Sequence, residues 1–364
     1  MPATKIKMPL PPAGPMEHVP VGAPTAFNWE YEVDRAALIN LYEKSKRLQW
    51  NASTDIDWSI DVDPEAAPPG FTAEIFNNLT RPPKKLDEKK LAEFRLHRNA
   101  WMLSQFMHGE QGALVATSLL VNSVPWLEAK FYAAQQVADE ARHVEVYHRY
   151  LTTKLGLAYP VNRHLQTLLG QIVRDRRWDM IYLGMQIMVE GLALAAFGFM
   201  NMTDPHEKLI NQITGYVIRD EARHVGFGVL SLAEVYKDMT EGERREREEF
   251  VIEASVLMRD RLLMEEVWEP MGLDRKTWVE WSLQTPFLVG FRQILFSKIV
   301  PNLKRLGLLT PRVREHMRKI GVLDFEFLPD STEDEGITPP PALMEFFGQL
   351  MAQGVQMEMP ASPA

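Results

Sequence analysis

Apolar positions recur at helical spacing over four long stretches in the first two thirds of the chain. The first runs from about Leu86 to Val121, and Asn122, Ser123 and Pro125 mark the turn after it. The second continues to about Leu155 and stops at Gly156, with Pro160 just beyond. The third occupies roughly residues 162–200, with an expected break at the charged run Arg174-Asp175-Arg176-Arg177. Asp204 and Pro205 read as the N-cap and first helical residue of the fourth, which reaches about Lys237. Period-two alternation is not sustained anywhere, so the expected class is all-α.

The flanks are less regular. A short helix is expected around residues 34–49, and residues 51–85 read as irregular, broken by Pro64, Pro68, Pro69, Pro82 and Pro83. Thr240 with Glu243 reads as a capping box that opens a helix running to about Trp268. Smaller helices are expected near Trp278, across residues 286–306 and across residues 311–320, with an apolar helical patch at residues 343–351. The expected division is an N-terminal arm and short helix (1–85), a four-helix bundle (86–240), accessory helices packed on it (241–328) and a C-terminal tail (329–364).

The net charge of −9 and the pI near 5.6 argue against nucleic acid and anionic membranes as partners. With no cysteine among 364 residues, disulfides, zinc fingers, iron–sulfur clusters and thiol catalysis are excluded. The N-terminus lacks the apolar core of a signal peptide, so a cytoplasmic protein is expected. Residues 180–202 are nearly all apolar and long enough to cross a bilayer. Glu190 falls near their middle, however, where an unpaired charge costs at least ~2.5 kcal/mol. The stretch therefore reads as the centre of a large bundle, with no membrane span.

The pentapeptide Asp-Glu-Ala-Arg-His occurs twice, at Asp139–His143 and at Asp220–His224. Each copy carries Glu-x-x-His, which places a carboxylate and an imidazole on one helix face. Glu110 lies 30 residues before Glu140, and Glu190 lies 31 residues before Glu221. Each half thus reads helix with Glu, turn, helix with Glu-x-x-His. Glu110, Glu140, His143, Glu190, Glu221 and His224 give four carboxylates and two imidazoles, enough for two metal ions side by side. Four glutamates in a dry interior would repel and protonate, whereas two divalent cations neutralise them. Carboxylate and imidazole donors suit iron or manganese. Asp139 and Asp220 are placed to hold the far ring nitrogens of the histidines across the bundle, with Arg142 and Arg223 balancing those aspartates.

Other residues admit two readings. Tyr147, one turn after His143, is either a redox tyrosine or a core tyrosine with its hydroxyl satisfied. Gln111 and Gln186 either contact the site or line it, and His108 reads as a surface or core polar group facing away from Glu110. Gly191, Ala193, Ala195, Ala196 and Gly198 allow either close helix packing or space for substrate or oxygen.

At these residues the chain resembles the ferritin-like di-iron carboxylate superfamily, over about residues 87–237. The resemblance implies a ferritin-like four-helix bundle with additional helices and extended terminal arms. It is similar to the O₂-activating oxidases and oxygenases: para-aminobenzoate N-oxygenases, multicomponent hydroxylases and acyl carrier protein desaturases. The N-oxygenases carry an additional histidine where this chain has Val217, and the hydroxylases a threonine where it has Leu194. The ribonucleotide reductase small subunit places its radical tyrosine where this chain has Tyr147. The implied activity is O₂-dependent hydroxylation, N-oxygenation or desaturation of a small, largely apolar organic substrate. A radical-bearing reductase subunit and an iron-storage ferroxidase are the alternatives. The implied cofactor is two iron ions, with manganese–iron occupancy left open. With no flavin or nicotinamide fingerprint in the chain, electrons are expected from a separate reductase or ferredoxin. A homodimer is the expected assembly.

Overall fold

A computed structural model of the chain describes residues 16–21, 24–67, 71–203, 206–333 and 340–356. Among these residues every regular element is helical. In chain order they are α1 (Ala36–Arg47), α2 (Ala73–Thr80), α3 (Glu88–Ser123), α4 (Leu127–Tyr150), α5 (Arg163–Arg174), α6 (Trp178–Tyr182), α7 (Glu190–Thr203), α8 (Lys208–Val235), α9 (Glu241–Asp260), α10 (Glu265–Trp268), α11 (Arg275–Gln284), α12 (Pro286–Phe296), α13 (Ile299–Arg305), α14 (Pro311–Lys319) and α15 (Pro341–Gln356).

Four of these rods form the bundle: α3, α4, the run from α6 into α7, and α8. Asp87 caps α3 by accepting the backbone N–H of Lys90. Beyond Tyr150, α4 widens into a π turn over Leu151–Leu155, which Gly156 closes at φ 65°. A second π segment, Leu183–Val189, joins α6 to α7 and delivers Glu190 as the first residue of α7. The expected break falls where the charged run lies, with α5 ending at Arg174 and α6 starting at Trp178. Asp204 and Pro205 lie outside the described residues, and α8 is helical from Lys208.

The apolar helix Trp178–Asn201 has the length and hydropathy of a membrane span, yet 94% of its most apolar stretch is buried inside the protein. It is enclosed by α3, α8, α9 and α13, as the central rod of a bundle must be.

Two expectations are corrected. Residues 51–85 are not irregular throughout: Thr72 accepts the N–H of Ile75 and starts α2, whose Phe76 packs on Phe94 of α3. The helix opened by the Thr240–Glu243 capping box does not reach Trp268; it stops at Asp260. A turn through Met264, at φ 52°, then redirects the chain into α10. That stop places Arg261, at the end of α9, against the bundle interior.

Candidate metal centre

Glu110 sits midway along α3, Glu140 and His143 one turn apart on α4, Glu190 at the start of α7, and Glu221 and His224 one turn apart on α8. All six side chains are buried, none more than 4% exposed. Donor atoms of Glu110, Glu140, His143 and Glu221 lie within 4.8 Å of one another, as do those of Glu140, Glu190 and His224. Glu140 belongs to both groups and is placed to bridge them.

His143 Nδ1 lies 3.2 Å from Glu221 Oε1, 3.3 Å from Glu140 Oε2 and 3.4 Å from Glu110 Oε2. His224 Nδ1 lies 3.1 Å from Glu140 Oε1 and 3.8 Å from Glu221 Oε1. A first-row divalent ion holds nitrogen and oxygen donors at about 2.1 Å, which sets neighbouring donors about 3 Å apart in an octahedron. Side chains from three helices are therefore already spaced as the edges of such a shell.

The far ring nitrogens are held crosswise. His143 Nε2 is 3.1 Å from Asp220 Oδ2 on α8, and His224 Nε2 is 3.3 Å from Asp139 Oδ2 on α4. Arg142 pairs with Asp139 and Arg223 with Asp220, one turn along each helix. The helix α1 and the loop after it close this side. Trp50 Nε1 donates to Asp220 at 2.8 Å, Gln49 Nε2 donates to Asp139 at 3.0 Å, and Ser45 Oγ donates to Asp139 at 3.4 Å. On the other side, the Gln136 amide donates to Glu140 at 3.0 Å and to Glu190 at 2.9 Å.

Charge states follow from this crowding. Burial raises the Glu110 and Glu190 carboxyls well above their ordinary range, with Glu221 adding to the effect on the first and Glu140 on the second. Burial also opposes ionisation of Glu140, but His224 and His143 outweigh it and hold that carboxyl low. Burial opposes protonation of both histidines, yet Asp220 at His143, and Glu140 at His224, raise them well above their usual value. Even so, Glu140 Oε2, Glu190 Oε2, both Glu221 oxygens and His224 Nδ1 lack a hydrogen-bond partner. Buried polar atoms in such number, on residues whose donors form two overlapping groups, fit a pair of cations.

The remaining candidates separate. Gln111 is exposed and does not contact the site. Gln186 is buried and donates to Thr117 at 3.3 Å. His108 Nε2 meets the carbonyl of Tyr159 at 2.9 Å. Gly191 is packed closely, since a Cβ there would lie 3.3 Å from Ile299, whereas Ala193 lines a cavity beside the site. The Tyr147 hydroxyl is buried without a partner, contrary to the reading of a satisfied core tyrosine. Trp50, Gln136 and Arg261 were not singled out from sequence. Gln136 had a signal, four residues before Glu140 on the same helix face; Trp50 and Arg261 had none.

Residues 32–307, about three quarters of the chain, match the family described as P-aminobenzoate N-oxygenase AurF. No curated protein matches the chain. Similar solved structures include a glycine-to-phenylalanine variant of an R2-like ligand-binding oxidase with anaerobically reconstituted Mn/Fe cofactor; it is 18% identical over 78% of this chain and 96% of that chain, with a TM-score of 0.44. The R2-like ligand-binding oxidase with aerobically reconstituted Mn/Fe cofactor after a long soak is 16% identical over 88% of this chain and 93% of that chain, with a TM-score of 0.41.

Proposed function

Since this chain belongs to the P-aminobenzoate N-oxygenase AurF family, and is by that membership a di-iron, O₂-dependent oxidoreductase acting on an organic substrate, we propose that it oxygenates the nitrogen of a small organic amine. We propose Glu110, Glu140, His143, Glu190, Glu221 and His224 as the metal ligands. The observation that carries this assignment is their convergence from four rods, with donor atoms in two overlapping groups and several of them unpaired. Bound iron would supply the redox centre and Lewis acidity that O₂ activation needs.

The protein's part is positional. Asp220 and Asp139 accept the Nε2–H of His143 and His224, which fixes the tautomer that leaves each Nδ1 lone pair facing the carboxylates. Gln136 restrains Glu140 and Glu190 through one amide group. Phe106, Ala113, Val189, Leu192 and Ala193 form an apolar wall beside Glu110, Glu190 and Glu221 and keep bulk water out. Val217, buried one turn before Glu221, leaves this chain without the additional histidine of the N-oxygenases, so six side chains carry the ligand set. Electrons come from a separate reductase or ferredoxin, since the chain has no cysteine to hold a cluster.

The test is metal analysis of the purified protein followed by oxygen uptake with an aryl amine. About two iron or manganese ions per chain are expected, together with uptake that rises with amine and yields an N-oxygenated product. Glu190→Ala should lose roughly one metal equivalent. A folded chain that binds no metal, or a Glu190→Ala variant that binds as the parent does, defeats the ligand assignment. Oxygen uptake that yields only a ring-hydroxylated or desaturated product defeats the N-oxygenation.

A further inference from the structure

Residues 24–35 reach α1 by crossing the turn between α3 and α4, and the crossing is pinned along its length. The N–H of Ala26 donates to the carbonyl of Asn122 at 2.8 Å, and the Asn28 amide donates to that of Pro125 at 3.3 Å. Glu128 then accepts the backbone N–H groups of Asp34 and Arg35 at 2.8 and 3.0 Å. The Arg35 guanidinium lies over the Trp126 ring at 4.4 Å and pairs with Glu234 of α8. Ala26 and Asn28 are half-buried, whereas the alternate positions face water: Phe27 and Trp29 are each 74% exposed, Tyr31 70% and Val33 45%. The Phe27 and Trp29 rings stack with centroids 5.4 Å apart, so they share one face. Val115 on α3 and Phe131 on α4, the two helices to whose turn the strip is tied, are exposed as well.

Buried aromatic side chains cover about 150–250 Å² each, so at their present exposure these three offer on the order of 400 Å², the size at which an apolar patch marks a contact site. Because the backbone beneath them is already tied down, covering them costs little further ordering. We propose that this strip is a self-docking surface, on which a second copy of the chain seats around a two-fold axis. Such a contact sets each strip against its equal, and the rings alone then bury roughly 800 Å². Val33, Val115 and Phe131 extend the surface toward the roughly 1,600 Å² of a stable interface. Two other occupants fit less well. Glu30, Glu32 and Asp34 alternate with the rings and the chain carries a net charge of −9, so an anionic membrane would repel it. A transient protein partner would leave the rings bare between encounters, an aggregation hazard that an always available second copy removes. The family resemblance implies a homodimer but no face for it; the strip supplies one. The inference is independent of the metal assignment.

The experiment is sedimentation equilibrium of the full chain at micromolar concentration, with circular dichroism on every sample to confirm the fold. Wild type is expected at twice the 41.8 kDa chain mass. Trp29→Glu, which places a charge on the ring face, should weaken self-association at least ~10-fold. Tyr31→Ser should weaken it in the same direction and serves if the first variant does not fold. Phe327→Ser, at an exposed ring outside the strip, should sediment as wild type does. A wild-type chain that is monomeric, and so keeps the strip for a different partner, overturns the proposal. So does a dimer that persists unweakened in the strip variants, or one lost equally in Phe327→Ser.

Discussion

Asp220 on α8 accepts a hydrogen bond from His143 on α4 at 3.1 Å, while its own helix contributes His224 to the site. The reverse pairing, Asp139 with His224, makes the arrangement reciprocal. Each Asp-Glu-Ala-Arg-His copy therefore orients the histidine of the other. Asp220 also accepts from Trp50 Nε1 and pairs with Arg223, so its carboxylate position is fixed from three sides. Asp220→Asn can turn its amide N–H₂ toward His143 and favour the wrong tautomer, with the proton on Nδ1. Metal affinity should fall about 10–100-fold, read by equilibrium titration with Mn(II) or Fe(II). An affinity equal to wild type would show that Asp220 does not orient the ligand.

Much of this was legible before any coordinates. The two pentapeptides, with Glu110 and Glu190 about one helix length upstream, identify four rods and the residues they bring together, because i, i+3 spacing on a helix fixes which side chains share a face. Gly156 and the 174–177 charged run likewise mark real helix ends. What escaped depends on tertiary placement. Trp50 follows a short helix and meets Asp220 across 170 positions of chain, which no local pattern encodes. Arg261 lies in a stretch that reads as uninterrupted helix, and only the left-handed turn at Met264 brings the chain back. The same limit hid α2 among prolines, where packing of Phe76 outweighs the breakers around it.

The metal-free protein should lose stability as pH rises. Burial, helped by Glu221 at Glu110 and Glu140 at Glu190, lifts these carboxyls well above 4.5, so the folded state keeps protons that the unfolded chain releases. His143 and His224 are lifted above 6.5 by their carboxylate partners despite burial, with the same sign. Asp220 is held down to about 2 because His143 outweighs its burial, and its contribution is constant well above that range. The folded state therefore binds more protons than the unfolded chain above about 4.5 at the carboxyls and above about 6.5 at the histidines, and stability declines from there as pH rises toward the raised folded values. Metal must displace those protons, so binding should release them and tighten with pH. Thermal melts of apo protein, and titrations in buffers of differing ionisation enthalpy, check both halves. A melting temperature that rises with pH would contradict the proton assignment.

Gly228 permits the close approach of α8 to the π segment that precedes Glu190. A Cβ at this position would lie 2.6 Å from Gln186 Cβ and 3.3 Å from Ile187 Cδ1. Neither neighbour can retreat easily, because both are fully buried. Gly228→Ala should cost about 1–3 kcal/mol through overpacking, seen as a lower urea midpoint. Because the displaced segment leads directly into Glu190, the metal equivalent that depends on Glu190 should weaken as well. An unchanged midpoint would mean the two elements stand further apart than the structure places them.

Tyr147 stacks on Phe197 with ring centroids 5.9 Å apart and carries a buried hydroxyl with no hydrogen-bond partner among the described residues. Burial and the charge of Glu110 both raise its pKa, so it remains a phenol. Oxidation of a tyrosine releases the phenolic proton, and here no base lies within hydrogen-bond reach to take it. The geometry thus disfavours a stable tyrosyl radical and marks the hydroxyl as a buried group left unpaired, a burden of about 1–3 kcal/mol. Phenylalanine fits the same space, so Tyr147→Phe should melt at the same temperature or higher and retain its metal. Iron-loaded wild type exposed to O₂ should show no tyrosyl EPR signal. A signal that appears in wild type and vanishes in the variant would assign Tyr147 a redox role and revive the radical-subunit reading.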